Sequence, residues 1–274
     1  MEKSTGSIYG GWCMKWFKIY KKSFGLQLAT WMAYRFNFFL FLTAIVLFNL
    51  LAPLVVYLIY YNNLTIPGWT FNQVLFLLGT YILVTGIDVF LGAHIEWTTR
   101  SLLKSGEFDK ILIRPIKPMT LIFLRKPEIA ALSEVVLGII IVLYTYTNLN
   151  IVFNLVNILV YLILIFIALL FLISLRIFIG ALTFFFIETS AIGEFVGRFK
   201  NFAIYPISIY GTMGYKLFTF IFPIGLLGFY PAEVILGRAA WATVGLSAVV
   251  GLILFIVSIF FWEFAIKHYV SAGG

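Results

Sequence analysis

The sequence predicts an all-α, polytopic membrane protein. It has six transmembrane helices, an N-terminal interfacial helix, a short cytoplasmic helix and an outer re-entrant segment before the last span. Three observations carry this reading. Of the 274 residues, 62% are apolar and 11% are charged, against roughly 25% charged in soluble domains. Six stretches approach the ~20 apolar residues that cross a hydrocarbon core. Thirty Phe, fifteen Tyr and seven Trp suit a lipid-facing surface with aromatics at its interfaces. Little is left between spans for a soluble domain, so 1–274 reads as one membrane domain. Any aqueous catalytic work falls to another chain.

The first element, 13–34, is basic and amphipathic. Lys15, Lys18 and Lys22 share one helical face, and Trp16, Tyr20, Phe24, Leu28 and Trp31 share another. A helix lying in the headgroup plane has this pattern. The first apolar run begins near Phe36, too deep and too long for a signal peptide, so the chain is expected to enter the membrane through its own first span. The six spans fall at 36–61, 71–93, 129–147, 151–175, 177–197 and 240–265. Glu188 and Glu194 interrupt the fifth.

Between the last two spans, 198–239 carries Pro206, Pro223 and Pro231 with several glycines, which break any straight helix. The stretch is too apolar for a solvated loop. It reads as a re-entrant or surface-lying hairpin on the outer side, since broken backbone at membrane depth needs protein or water around it. A competing reading makes 202–228 a kinked fifth span and lengthens span four.

Orientation follows from the cations. The N-terminal segment holds Lys3, Lys15, Lys18, Lys21, Lys22 and Arg35. The loop 98–128 holds Arg100, Lys104, Lys110, Arg114, Lys117, Arg125 and Lys126, seven of the nineteen Lys and Arg. The connections 62–70 and 148–150 hold none. The positive-inside rule therefore puts the N-terminus, the 98–128 loop and, with six spans, the C-terminus in the cytoplasm. A net charge of +8 set beside spans points to orientation and anionic lipid headgroups, with no nucleic-acid partner.

The 98–128 loop is structured. Ser105-Gly106 can stop the extension of span two. Glu107, Phe108 and Asp109 then open a short helix, their acids suited to its positive N-terminal end. Ile111, Leu112 and Ile113 give it an apolar side, and Pro115 and Pro118 end it. A short helix of mixed faces is one that a cytoplasmic partner can grip.

Catalytic signatures are missing from the sequence. It has no G-x-x-x-x-G-K-[ST], so it cannot bind ATP by that means, and no G-x-S-x-G, H-E-x-x-H or paired C-x-x-C. Cys13 is the single cysteine, which allows no internal disulfide. His94 and His268 are the only histidines. His94 with Glu96 sits at a span end where polar residues are ordinary, and no metal site is expected. Asp88, Gly92 and Glu96 share one face of span two. Acids within spans usually face protein or water, so Asp88, Glu134 and Glu188 are the candidates for a translocation path. They could carry protons, or make polar contacts with a neighbouring helix. Spans one to four, as bounded above, hold no cation to pair with them.

The chain resembles the permease subunits of type-2 ATP-binding-cassette (ABC) transporters, in particular a six-span, uncharacterised prokaryotic branch. The likeness rests on Tyr34-Arg35 before span one, Gly106-Glu107-Phe108-Asp109 with Leu112 and Arg114-Pro115, and Pro118. It continues through Tyr205-Pro206, Phe222-Pro223, Tyr230-Pro231-Ala232 and Leu236-Gly237 to the ending Tyr269 to Gly274. Phe108 departs from the leucine usual there and keeps its apolar character. The resemblance implies a half-transporter in the inner (plasma) membrane, favouring export, with two permease chains seated on two ATPase subunits. Segment 13–34 becomes the connecting helix. The 98–128 loop carries the coupling helix, docking the ATPase through Gly106, Glu107, Phe108, Asp109, Leu112, Arg114 and Pro115. ATP and Mg belong to the partner subunit, and this chain is expected to hold no cofactor and to be no enzyme itself.

Overall fold

The computed structural model describes residues 8–92, 94–124, 127–149, 151, 154–186 and 188–270. Side chains are described from residue 21 onward. Lys15, Trp16, Lys18 and Tyr20 of the expected interfacial face therefore lie outside that description, and so do Lys3, Arg125, Lys126 and residues 271–274 altogether. Among the described residues every regular element is helical.

The chain opens with α1 (Ile8–Ala33) and α2 (Arg35–Tyr61), separated by Tyr34. Next come α3 (Phe71–Gly92) and α4 (His94–Lys104), which together form one candidate span from Phe71 to Lys104. Two short helices follow, α5 (Asp109–Leu112) and α6 (Pro118–Phe123). A 3₁₀ turn at Ile129–Ala131 leads into α7 (Leu132–Asn148). Then α8 (Leu155–Leu182) starts at Asn154, whose Oδ1 accepts hydrogen bonds from Val156 N (2.9 Å) and Asn157 N (3.4 Å). This side chain satisfies two of the amide groups a helix start leaves open. The remainder is α9 (Ser190–Lys200), α10 (Gly211–Lys216), α11 (Phe229–Ile235) and α12 (Trp241–Ile266).

Among the described residues, five helices are long and apolar enough to cross a membrane: Arg35–Tyr61, Phe71–Lys104, Ile129–Asn148, Leu155–Leu182 and Trp241–Ile266. The expected fifth span, 177–197, is not one element. Its first six residues complete α8, and α9 begins only at Ser190. The apolar run from 151 to 197 has no internal proline, so length alone suggested two spans divided near 176. The break instead falls where Thr183, Glu188 and Thr189 cluster. Lengthening of the fourth span, as in the competing reading, is what the structure has. A single kinked helix over 202–228 is not. The backbone there breaks at Pro206 and Pro223 and passes through a π-helical turn at Leu217–Ile221.

Close helix contacts set the directions. A Cβ on Gly79 would lie 2.7 Å from Ile141 Cγ2, one on Gly86 2.8 Å from Glu134 Cβ, and one on Gly138 2.5 Å from Leu83 N. Numbers rising on α3 meet numbers falling on α7, so the two are antiparallel and nearly touch backbone to backbone. Small residues permit this approach in membranes, where packing replaces the hydrophobic drive between helices. In contrast, α8 runs parallel to α3 (Phe76 near Tyr161, Gly92 near Arg176) and parallel to α12 (Phe171 near Gly251, Gly180 near Trp262). Because α8 and α12 are parallel, the broken stretch 183–240 must carry the chain back from one end of the bundle to the other.

The far part of that return packs against the α2–α3 connection. Phe229 meets the Trp69 ring at 5.7 Å, and the Arg238 guanidinium lies 4.4 Å above the same ring and donates to Gly68 O at 2.8 Å. Tyr230 is buried, its hydroxyl 2.6 Å from Thr219 Oγ1. Most of 224–235 is buried between α3, α8 and α12. This apolar, proline-broken segment is thus covered by protein, which irregular backbone among spans requires.

Candidate functional site

Two features stand out, joined by the α3–α4 span. The first is a buried charge cluster. Asp88, fully buried on α3, accepts two hydrogen bonds from Arg176 of α8: Nε to Oδ1 at 2.8 Å and Nη2 to Oδ2 at 2.5 Å. Lys200, the last residue of α9, reaches Asp88 Oδ2 at 3.8 Å. Glu96 of α4 and Glu134 of α7 lie within electrostatic reach of Lys200, and Asn49 of α2 is close to Glu134. Tyr81 of α3 donates to Asn201 Oδ1 just beyond Lys200 (3.4 Å). A forked guanidinium on a carboxylate is the strong, planar form of ion pair. Here it ties α3 to α8, and Lys200 adds the start of the returning segment.

No cation was expected within spans one to four as bounded, yet Asp88 pairs with Arg176 and Lys200. Arg176 stood one residue past the 151–175 boundary, and Lys200 beyond the supposed fifth span. A corrected end for span four would have exposed the match, since Asp88 and Arg176 each lie about one and a half turns from the end of an apolar run. The three acids proposed together also separate. Asp88 and Glu134 belong to the cluster, whereas Glu188 lies outside any span. It sits in the turn before α9 with 60% of its side chain exposed, paired with Lys104. The Lys104 ammonium, with the Ser190 hydroxyl and N–H, holds the Glu188 carboxyl down at about 2.

The second feature is the turn between α4 and α6. Gly106 ends α4 with φ +69°, a left-handed conformation that glycine adopts without strain. Phe108 N then donates to Leu102 O at 3.2 Å, folding the chain back. Phe108 itself is fully buried, with ring centroids 5.1 Å from both Phe184 and Tyr269. Its neighbours in that cluster include Ile111, Ile177 and Trp262. His94 is buried as well, its Nε2 donating to Ile122 O (3.0 Å) and Phe123 O (3.2 Å), which pins α6 to α4.

The residues expected to dock a partner thus divide. Gly106 shapes the turn and Phe108 is the plug that seats it. Glu107, Leu112, Arg114 and Pro115 face outward with Lys110 and Ile113, and Asp109 is half-buried. Lys110 closes onto Glu107 at 2.7 Å. Across the turn, Lys117 approaches Glu263 of α12 at 3.4 Å. Leu112 and Ile113 are exposed beside charged groups, an amphipathic tip on a rigid base.

Long apolar helices, small-residue seams and an ion-paired cluster at membrane depth define a multi-pass α-helical membrane protein. The family described as ABC-2 family transporter protein matches residues 34–273, and the chain belongs to that family. Membrane domains of this kind are generally non-catalytic, with the ATPase in a separate subunit. No curated protein and no solved structure matches the chain.

Proposed function

We propose that this chain is the permease half of an ABC exporter of the inner membrane. ATP hydrolysis, with ATP and Mg held by a separate ATPase subunit, drives it between inward- and outward-facing states. On this reading the chain crosses six times, the sixth crossing being the broken return through α9 and 201–235. The positive-inside cations put α5 and both termini in the cytoplasm. α1 lies along that face as the connecting helix, and α11 belongs to the outer side. A single observation supports the mechanical part. The span Phe71–Lys104 carries the ion-paired Asp88 along its length and ends at the exposed α5 turn. A push on Glu107, Leu112, Ile113 or Arg114 reaches Phe108, then α4, then the cluster that joins α3, α8 and Lys200.

Export between two permease chains suits the outward face of α9. Glu194 and Arg198, four residues apart, are exposed there between the Glu188 turn and the level of Lys200. Bare charges at that depth call for water or a second chain. The family does not favour the proton-coupled alternative. The test is assembly with the ATPase subunit. Glu107→Ala with Arg114→Glu is expected to weaken co-purification with the ATPase and its substrate-stimulated turnover, with the permease still folded and inserted. Full assembly and full stimulated ATPase activity in that variant would remove α5 as the docking element.

A further inference from the structure

We infer that the cleft between α4 and the turn at 188–190 is a binding site for the headgroup of a zwitterionic phospholipid. The cleft holds about 530 Å³ and is lined by Trp97, Arg100, Ser101, Lys104, Glu188 and Ser190, with Ser105 at its edge. Arg100 is mostly buried, and its Nη1 has no hydrogen-bond partner. Its nearest carboxylate oxygen, Glu96 Oε1, is 3.8 Å away. A guanidinium seeks acceptors in a fixed fork, so Arg100, in the wall of a polar cleft with its nearest carboxylate oxygen 3.8 Å away, is placed to take a further anionic oxygen. Lys104, four residues on along the same helix, supplies a second cation, half-exposed and bonded to Glu188. The Ser101 hydroxyl adds a further donor, while those of Ser105 and Ser190 donate to Leu102 O and Glu188 Oε1.

The lining is not simply basic. Glu188 lines the cleft in direct contact with Lys104, and Glu96 lies 3.8 Å from Arg100. Counted together, two cations meet two carboxylates. A ligand of net negative charge would face Glu188 without compensation. A phosphate joined to an ammonium fits both sides, its phosphate on Arg100 and Lys104 and its ammonium toward Glu188 and the exposed Trp97 ring.

Position argues for a lipid over a free headgroup. The Phe71–Lys104 span is 34 residues long, whereas ~20 cross the hydrocarbon, so the cleft falls where α4 leaves the apolar layer. Trp97 is 59% exposed at that level, a headgroup-depth position for indole. Within two turns of Ser190, α9 exposes Ile192 and Phe195, an apolar surface for acyl tails.

The test uses the purified, delipidated full-length chain, titrated with phosphatidylethanolamine or phosphatidylglycerol of the same acyl chains and read by native mass spectrometry. Phosphatidylethanolamine is expected to bind at least about tenfold tighter than phosphatidylglycerol. Arg100→Ala and, separately, the exposed Lys104→Ala should weaken it about tenfold, the scale of one lost charge-assisted contact. Glu188→Gln should weaken phosphatidylethanolamine and leave phosphatidylglycerol unchanged. Equal or tighter binding of phosphatidylglycerol, or tighter lipid binding by Glu188→Gln, would overturn the zwitterionic assignment. Tail-free glycerophosphoethanolamine competing at the lipid's own concentration would overturn the lipid. Unchanged binding in a folded Lys104→Ala chain would remove the site. Because binding is read on the chain alone, failure here leaves the ATPase-docking reading standing, and failure there leaves this one.

Discussion

α2 and α3 are neighbours in the chain, joined by a short loop, similar in length and both strongly apolar. Yet Val56 is the one buried residue of α2, while more than half of α3 is buried. Large side chains such as Phe36, Leu47 and Phe48 stand out from α2. On α3 the equivalent bulk, Phe76, Leu77, Leu78 and Ile82, is enclosed. In water such a difference would show as a change of composition along the helix. In lipid both environments are equally apolar, so burial follows from close-packing contacts and from polar groups that must be paired. α3 has Gly79, Gly86 and Asp88 to bring α7 and α8 close. α2 offers Asn49 and one proline.

The largest expected effect breaks α3 at its charge. Asp88→Leu would leave Arg176 and Lys200 buried without their shared carboxylate. Removing one partner from a buried pair costs about 3–5 kcal/mol. Thermal melting in detergent should show a large loss, and Asp88→Leu combined with Arg176→Met should recover part of it. A single variant as stable as the parent would mean the cluster is not what holds α3 in place.

Next in size is the α3–α7 seam. Gly138→Val puts a side chain within 2.5 Å of the Leu83 backbone nitrogen, where neither side can rotate away. Overpacking of this kind costs about 1–3 kcal/mol, read again by melting. Gly245→Val on α12, where a Cβ meets nothing within 4 Å, is the control and should be near neutral.

A smaller effect sharpens the α2 side. Leu47→Val and Phe48→Leu in the isolated chain should change stability by no more than about 0.5 kcal/mol, the usual range for exposed positions. If α2 lines the interface with a second permease, cysteines at positions 47 or 48 in a Cys13→Ser background should form disulfides between chains in the assembled transporter. Their failure to do so would leave α2 facing lipid.

The smallest effect is at the exposed Lys104–Glu188 pair. Its carboxyl is held below the usual value, so its contribution is present above about pH 4.5. It fades as pH falls from there toward about 2. The melting difference between the parent and Glu188→Gln should therefore shrink below pH 4.5, and a difference that grows on acidification would reverse the assignment.

Much of this was legible in the sequence. Apolar runs of sufficient length gave α2, α3, α7 and α12 nearly to the residue, because a membrane-crossing helix must be both long and uncharged. Gly106, Pro115 and Pro118 marked the turn around α5, since backbone restriction is local. Pro206 and Pro223 marked the breaks in the return, for the same reason. The site was half legible. Asp88 could be singled out because an acid in a span is costly, but its partners could not, being 88 and 112 positions away along the chain.

What the sequence determined by itself was that the chain is built of long apolar helices, with the bounds of four of them, and where the backbone must bend, all consequences of residues and their near neighbours. Tertiary structure alone decided three further matters. It ran α8 parallel to α12, so that a broken segment has to bring the chain back. It turned Phe108 inward as a plug while Leu112 and Ile113 stayed out. It set Arg176 and Lys200 on one carboxylate. Each depends on which helices touch, and in an apolar solvent that is settled by shape and by ion pairing across the bundle, neither of which is written in hydropathy.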